Sequence, residues 1–381
     1  MNSVNFGKEQ KNMRIAILGA AKSIHTIKWA KSLAERGHAV RLFSLPDQKA
    51  PDGALEGVSV HYLRTGGVSG YWLCAGELRK KLAAFSPDLL NAHYATGYGT
   101  LARRCGFSPT LLSVWGSDVY DFPNGGYFNR RLLLRNLESA AAIASTSSAM
   151  AQEVNRLHVT DKRIFLTPFG VDTQVFRRYE HPQRDGIVIG IVKALEPVYG
   201  IDYLIQGYSM LKARMQKEGS VPPGGLKLEI YGDGSQLQTL IRLAKTLNVG
   251  EETHFRGAVP HVYVPRVLSG FDIFCSPSIR ESFGVAAVEA MACELPVVVS
   301  DADGLREVVR DRETGFVVTR RDPVTIANKL YLLATDADLR RRMGRAGRSH
   351  VQEQYEWADC VAKMEDAMTE TAMTARTEQI R

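Results

Sequence analysis

Short apolar runs alternate along the chain with segments whose apolar residues recur at helical spacing. The first run, MRIAILGA, is followed by SIHTIKWAKSLAERG, whose apolar residues recur close to helical spacing at Ile24, Ile27, Trp29, Ala30, Leu33 and Ala34. Gly37 marks the end of this helical segment, and the apolar run HAVRLFSL follows it. The pattern predicts a short buried strand, an amphipathic helix and a second strand.

The same alternation continues through the first half of the chain and restarts after a polar stretch at 169–186. The second series opens with the strand-like run IVIGIVKAL. Two consecutive series of this kind predict an α/β protein with two doubly wound, Rossmann-like domains that have parallel sheets and face a cleft. We place these domains at 13–176 and 187–350. We expect the helical segment 351–373 to pack back toward the first domain.

Composition limits the class of protein. The chain has 381 residues, of which 45% are hydrophobic and 23% charged, as in soluble globular proteins. It has five cysteines without a CxxC pair, which favours reduced thiols over disulfides or a metal site. The polar start MNSVNFGKEQKN does not resemble a signal peptide, and no apolar run is long enough to span a bilayer. We therefore expect a cytoplasmic protein.

Charge is distributed unevenly between the two halves. Residues 1–180 hold 23 Lys and Arg against 14 Asp and Glu, whereas residues 181–381 hold 25 against 27. The basic first half favours an anionic partner, either a phosphorylated substrate or the anionic lipid of the inner face of the cell membrane. A solvated face that keeps the protein soluble explains the charge equally well. We expect no nucleic-acid partner, because no recognised binding motif accompanies the charge.

The segment PSIRESFGVAAVEAM carries the most informative pattern of polar residues. Glu281 and Glu289 stand eight positions apart, which spans roughly 12 Å if the segment is helical. A diphosphate at the tip of this helix, with one carboxylate on each flanking sugar, accounts for both residues. Residue type alone favours a cap or a salt bridge for Glu289.

Backbone groups complete the predicted anion site. The free N–H groups at a helix N-terminus bind anions, and a glycine there lets a phosphate come close. The residues at and just before this N-terminus are Ser282, Phe283, Gly284 and Val285. Two earlier strand ends, IYGDG and FRGAVP, place Gly232, Gly257 and Val259 in turns that either approach a ligand or are ordinary turns.

The region from PSIRESFGVAAVEAM to RETGFVV resembles family 4 of the retaining, GT-B-fold glycosyltransferases. Glu281 and Glu289 stand in the E-x7-E motif of that family. The segments YGDG, FRGAV and DIFCSPS precede the motif in the family's order, and YEWADCVAKM resembles its closing helix. The resemblance implies that the second domain binds a nucleotide-sugar donor and the first an acceptor. It also implies that Glu281 bonds the donor hexose and Glu289 the ribose.

The sequence departs from the family pattern where an Arg and a Lys usually grip the diphosphate. Lys193 stands at the place of the Arg, and Tyr199 at the place of the Lys, before Gly200. Lys193 is expected to act catalytically by placing a point charge on the phosphates, although it lacks the fork of an arginine. Tyr199 supplies only a hydroxyl. A role for Lys193 as a surface lysine is the alternative.

Several residues of the first domain follow predicted strands. Asp118 lies beyond TLLSVWG, where Trp115 takes the place of a family histidine, and it either bonds a sugar or acceptor group or caps a turn. His93 is an acceptor contact or a structural histidine. The loop after the first strand is expected to approach the acceptor or the leaving phosphate through Gly19, Ala20 and Lys22.

The sequence indicates no metal and no cofactor, because the nucleotide sugar is itself the substrate. DADG at 301–304 is a strand-end turn and not a metal-binding Asp-x-Asp motif. A nucleotide-sugar epimerase and a non-catalytic sugar-nucleotide binder are the alternatives. A dinucleotide-dependent oxidoreductase is disfavoured, because LGAAKSIH lacks the G-x-G-x-x-G pattern. The resemblance favours a retaining hexosyl or N-acetylhexosaminyl transferase acting on a glycan, glycolipid or lipid-linked acceptor.

Overall fold

A computed structural model describes residues 12–157, 162–180 and 185–380. The strands and helices of the first half follow in chain order: β1 (Arg14–Leu18), α1 (Ile24–Glu35), β2 (Ala39–Ser44), β3 (Ser59–Tyr62), α2 (Gly67–Leu73), α3 (Ala75–Phe85), β4 (Leu89–His93), α4 (Gly97–Cys105), β5 (Thr110–Val114), α5 (Ser117–Tyr120), α6 (Tyr127–Ser139), β6 (Ala142–Ser145), α7 (Ser148–Arg156) and β7 (Ile164–Leu166).

The second half repeats the alternation. Its elements are β8 (Ile187–Val192), α8 (Ile201–Glu218), β9 (Leu226–Tyr231), α9 (Leu237–Thr246), β10 (Thr253–Gly257), α10 (Val264–Ser269), β11 (Ile273–Ser276), α11 (Val285–Ala292), β12 (Val297–Ser300), α12 (Asp303–Val308), β13 (Gly315–Val318), α13 (Pro323–Thr335), α14 (Ala337–Gln354) and α15 (Trp357–Ile380). No helix in these described ranges is both long and apolar enough to cross a membrane.

The chain divides into two compact units. Of the described residues, the first unit contains those up to Thr146, those within Met150–Thr167 and those from Val361 onward, and the second contains Ser147–Ala149 and those within Pro168–Cys360. Within the first unit, Glu365 of α15 accepts a hydrogen bond from Arg36 Nε at 2.8 Å and pairs with His38 Nε2 at 2.9 Å.

Each unit is built on one parallel sheet. The first has the strand order β3-β2-β1-β4-β5-β6-β7, and the second has the order β10-β9-β8-β11-β12-β13. Every paired strand runs parallel to its neighbour. Continuous apolar runs such as β12 form the central strands because helices cover both faces of such sheets. The prediction of two doubly wound α/β domains is therefore confirmed.

The strand orders locate the place where each sheet changes winding direction. In the second unit the chain moves outward from β8 to β9 and β10, and then returns to place β11 on the other side of β8. Loops at the carboxyl ends of β8 and β11 therefore diverge and leave a crevice between them. Ligands of open α/β sheets bind at such crevices. The first unit has the corresponding point between β1 and β4.

The last predicted helix is interrupted. The sequence pattern predicts one helix over 352–373, but α14 ends at Gln354 and α15 begins at Trp357. Val171 forms a bridge with Glu356, donating its N–H to the Tyr355 carbonyl and accepting from the Trp357 N–H. These bonds to a distant residue replace the helical ones, so the break cannot be read from local periodicity.

Candidate active site

Lys193 and Glu281 form an ion pair at the crevice of the second sheet. Lys193 follows the last residue of β8, and Glu281 lies in the loop that follows β11. Lys193 Nζ donates to Glu281 Oε2 at 2.6 Å, with side chains 15% and 12% exposed. Burial disfavours the ammonium, but the charge and hydrogen bond of Glu281, together with Tyr199 and the charge of Glu289, raise the pKa of Lys193 above its usual value. The crevice therefore holds a permanent cation beside a carboxylate.

Tyr199 completes this cluster through its ring. It ends a short 3-10 helix, Pro197–Tyr199, and the Nζ atom of Lys193 lies 4.4 Å from the centroid of its ring. An ammonium at this distance over an aromatic face is stabilised by the ring quadrupole. The structure thus brings together the two residues that replace the usual Arg and Lys of the family, with Tyr199 as the support of Lys193.

The loop between Glu281 and α11 has the form expected of an anion-binding turn. Gly284 has φ +102°, a conformation that favours glycine, and an added Cβ would also lie 2.8 Å from Leu305 Cδ2. The ring of Phe283 is buried against Phe169 and Tyr355, so its side chain is not available to a ligand. Ser282 lies between these residues and Glu281 at the surface of the crevice, and Val285 is the first residue of α11.

Glu289 lies one turn into α11 and is largely buried. Its Oε1 atom pairs with His261 Nε2 at 2.6 Å. His261 stands in a short 3-10 helix after β10 and was missed by sequence reasoning, since it belongs to no motif and is 28 positions from its partner. Glu289 therefore has a neighbouring side-chain partner, as the alternative of a cap or a salt bridge requires, and it also lies on the helix that follows Glu281.

The turns after β9 and β10 adjoin the same edge. Gly232 has φ +146°, and a Cβ there would lie 1.8 Å from the carbonyl oxygen of Lys193. Its N–H donates to the Gly257 carbonyl at 2.8 Å, which links the two turns. Val259 follows and is partly exposed. The predicted donor-binding positions therefore lie side by side at the carboxyl ends of β10, β9, β8 and β11.

Asp118 in the first unit has a different environment. Its carboxylate is fully buried and accepts N–H groups from Ala95 at 2.9 Å, Gly116 at 2.8 Å and Trp115. Burial raises the pKa of Asp118, although these three bonds oppose the shift. These contacts match the structural alternative for Asp118, a cap of the turn after β5. The predicted catalytic role of Asp118 stays a prediction.

His93 is also internal. Its Nε2 bonds Asn91 Oδ1 at 2.8 Å and its Nδ1 bonds Thr26 Oγ1 at 3.2 Å. Burial lowers the pKa of His93 to about 3, so the ring is neutral. The ring lies 4.6 Å from that of Trp115. Both ring nitrogens have protein partners, which matches the structural alternative for His93, and the acceptor contact stays a prediction.

The first loop stays a candidate for acceptor contact. Gly19 is buried, donates its N–H to Phe43, and lies so close to His93 that an added Cβ would be 3.1 Å from its Cβ. Ala20 is partly exposed, and Lys22 is exposed with its backbone held by Gln48. Lys22 is thus the predicted residue of this loop whose side chain is open to solvent.

No group of three or more His, Cys, Asp or Glu side chains suited to a metal occurs among residues 12–157, 162–180 and 185–380. The expected independence from metal stays a prediction.

Comparisons with known proteins agree with this architecture. A family model described as glycosyl transferases group 1 matches residues 172–350, and one described as glycosyl transferase 4-like matches 14–147. D-inositol 3-phosphate glycosyltransferase of Stackebrandtia nassauensis is 26% identical over 399 residues, covering 93% of this chain and 88% of the relative. N-acetyl-alpha-D-glucosaminyl L-malate synthase of Bacillus anthracis is 24% identical, covering 88% and 90%.

Solved structures share the fold. Sucrose-phosphate synthase from Thermosynechococcus elongatus has a TM-score of 0.80 at 20% identity, covering 94% of this chain and 99% of its own. HepE from Anabaena, in complex with UDP-glucose, has a TM-score of 0.77 at 17% identity, covering 94% and 100%.

The two parallel Rossmann-like sheets have the GT-B fold of these solved structures. The two family models together span most of the chain, and the chain belongs to the family 4 type of these enzymes. The resemblance seen in the sequence is confirmed.

Proposed function

We propose that the protein is a retaining transferase that moves a hexose or N-acetylhexosamine from a nucleotide diphosphate sugar to a hydroxyl of a glycan, glycolipid or lipid-linked acceptor. The observation that carries the proposal is the Lys193–Glu281 ion pair at 2.6 Å, beside the loop that begins α11. A cation for phosphate and an acceptor for sugar hydroxyls stand together at the ligand crevice of the sheet.

The donor would occupy the carboxyl edge of the second sheet. Lys193 would contact a phosphate oxygen, because its raised pKa keeps it charged. The backbone N–H groups of the loop would bind the diphosphate. Glu281 would accept hydrogen bonds from the hexose and Glu289 from the ribose. A nucleotide donor is supported by HepE, a relative in fold whose structures contain UDP and UDP-glucose.

The proposed chemistry needs no covalent enzyme nucleophile. The acceptor oxygen attacks the anomeric carbon on the face that the diphosphate leaves, and the bond between that carbon and the phosphate oxygen breaks. The departing phosphate oxygen takes the acceptor proton. Lys193 and the N–H groups of the loop stabilise the negative charge that develops on the diphosphate. No metal or cofactor is assigned a role.

Acceptor binding is assigned to the first unit, which carries the excess of basic residues. On α2, Val68, Trp72 and Leu73 are exposed, and the guanidinium of Arg104 lies 5.1 Å from the Trp72 ring centroid. Exposed apolar side chains beside basic ones suit peripheral contact with an anionic membrane surface, where a lipid-linked acceptor would be presented. Co-sedimentation with vesicles should increase with the anionic lipid fraction, and no dependence on that fraction would remove this part of the proposal.

One experiment tests the proposed reaction. The protein is screened for thermal stabilisation by UDP-, GDP- and ADP-sugars, since a ligand that binds the folded state raises its Tm. The stabilising donor is then incubated with candidate acceptors in EDTA, and NMR determines the anomeric configuration of the product. Transfer with retention supports the proposal, and inversion rejects the retaining mechanism. If a donor binds but is neither transferred nor slowly hydrolysed, the protein is a non-catalytic binder.

A further inference from the structure

Two consecutive carbonyl groups of the loop before α11 are hydrogen-bonded. The N–H of Gly304 donates to the Glu281 carbonyl at 3.0 Å, and the hydroxyl of Ser147 donates to the Ser282 carbonyl at 2.6 Å. A trans peptide is planar, and its C=O and N–H point in opposite directions. Each of these bonds therefore also sets the direction of the following N–H, that of Ser282 in the first case and that of Phe283 in the second.

Packing of α12 on this loop leaves the second of these peptides dependent on Ser147. A Cβ on Gly304 would lie 2.4 Å from the Phe283 nitrogen and 2.5 Å from the Ser282 carbonyl carbon. Nearly equal distances to the two atoms mean that Gly304 covers the face of the peptide that joins Ser282 and Phe283. Contact with the face restrains the peptide but does not choose between its two flipped orientations, in which the C=O and the N–H exchange sides. The hydrogen bond from Ser147 makes that choice.

Ser147 is itself held in place by α12. Ser147 immediately precedes α7, and it belongs to the second unit together with Ser148 and Ala149, the first two residues of that helix. The Oε1 atom of Glu307 accepts the N–H of Ser148 at 2.9 Å, and its Oε2 atom accepts the N–H of Ala149 at 3.1 Å. These are N–H groups that a helix cannot satisfy internally, and a carboxylate at this position also complements the helix dipole.

We propose that Ser147 is a positioning residue for the diphosphate of the donor, with Glu307 as its anchor. The Ser147 hydroxyl directs the N–H of Phe283 into the anion site of the loop, and Glu307 keeps the hydroxyl within reach of the Ser282 carbonyl. This inference rests on the proposed function and adds two residues that lie outside the E-x7-E motif. Neither residue touches the donor; both act through the backbone of the loop.

The test uses Ser147→Ala in the full-length protein. UDP, GDP and ADP are titrated into the wild type by calorimetry, and the one that binds is used for the variants. Loss of one orienting hydrogen bond should weaken that affinity about three- to tenfold. The kcat of donor turnover should fall by a similar factor, because the same N–H group serves the leaving diphosphate, while KM for the acceptor stays unchanged. Ser147→Thr keeps the hydroxyl and should recover most of the affinity.

Ser269→Ala is the matched control. Ser269 is as buried as Ser147, at 2% exposure, and donates to a backbone carbonyl, that of Pro265, at 2.7 Å. Its loss should lower stability without changing the affinity for the diphosphate. Glu307→Gln removes one of the two acceptors of the anchor and should give a loss of affinity smaller than that of Ser147→Ala.

The outcomes separate this inference from the proposed function. A wild type that binds none of the three nucleoside diphosphates contradicts the proposed function, and the inference with it. Binding by the wild type with equal affinity in Ser147→Ala overturns the positioning role alone. An equal loss in Ser147→Ala and Ser269→Ala assigns the effect to stability and also overturns it.

Discussion

The carboxyl edges of the two sheets carry polar side chains at matching positions but in different states. At the edge of the second sheet, Lys193 and Glu281 are partly exposed and bonded to each other. At the edge of the first sheet, Asp118 and His93 are almost fully buried and bonded to backbone or to uncharged side chains. Both edges belong to parallel sheets with the same type of crevice.

This difference shows what a position at the end of a strand can and cannot indicate. Topology brings residues to the edge where ligands bind. Burial and existing hydrogen bonds then decide whether a side chain is available to a ligand. An ion pair can exchange one partner for a phosphate or a hydroxyl, whereas a buried carboxylate that holds three N–H groups would leave them all unpaired.

The largest expected effect is the loss of transfer in Glu281→Ala. Removal of the carboxylate takes away the sugar contact and leaves Lys193 without its ionic partner, so kcat/KM should fall about a hundredfold or more. The melting temperature should change little, because Glu281 lies in a partly exposed loop. Glu313→Ala, which removes an exposed glutamate paired with Arg310, is the control and should keep full activity. Full activity in Glu281→Ala would contradict the assignment of this edge as the active one.

Loss of the strand-end carboxylate of the first sheet, Asp118, should lower stability, whereas loss of Glu281 lowers transfer. Asp118→Ala leaves three buried N–H groups without an acceptor, and we expect a loss of roughly 3 kcal/mol in the free energy of unfolding. Urea denaturation measures it, with Asp52→Ala, an exposed aspartate of the same unit, as the control. A variant of unchanged stability and lost transfer would place Asp118 at the substrate and remove the contrast between the edges.

Much of the fold follows from local patterns in the sequence. Apolar runs such as β8 and β12 and the amphipathic spacing of α1 predict the doubly wound domains because period and length distinguish buried strands from surface helices. Short elements such as β3 and β7 escaped notice since a few half-buried residues carry no clear period. The break at Glu356 depends on Val171, which is far away in sequence.

The site follows from the sequence less completely. Glu281, Glu289 and Lys193 were identified through the order of motifs, and the structure brings them to one edge. His261 and Ser147 were missed because each acts through a residue more than 25 positions away, and no local pattern records that proximity. Asp118 was assigned to catalysis on its position at a strand end, since sequence does not show which carboxylates are buried.

An intermediate effect is expected when the cation of the second edge is removed. Lys193→Ala should weaken binding of the nucleoside diphosphate product about tenfold, because a charge-assisted contact with phosphate is lost. Lys193→Arg keeps the charge and should retain affinity within about threefold. Calorimetry measures both, with the exposed Lys217→Ala as the control. Equal affinity in wild type and Lys193→Ala would exclude a phosphate contact for this residue.

Acid should destabilise the first sheet through His93. Its folded-state pKa of about 3 lies below the value near 6.5 of an unfolded chain, so only the unfolded state binds the proton between these values. Stability is then present above about pH 6.5 and is lost as the pH falls, by at most about 1.4 kcal/mol per pH unit. His93→Gln should flatten this dependence in urea denaturation between about pH 4 and pH 6. An identical slope in both proteins would contradict a buried, neutral His93.

The smallest effect distinguishes the ring of Tyr199 from its hydroxyl. The Nζ atom of Lys193 lies over the ring, so the contact in the structure is made by the aromatic face. Tyr199→Phe keeps that face and should change the affinity for the nucleoside diphosphate less than about twofold, whereas Tyr199→Ala removes it and should cost about two- to fivefold. If Tyr199→Phe binds as weakly as Tyr199→Ala, the hydroxyl itself reaches the diphosphate. In that case the Tyr199 hydroxyl donates a hydrogen bond directly to the diphosphate at the edge of the second sheet. Tyr199 then takes over the phosphate contact of the family lysine whose position it occupies.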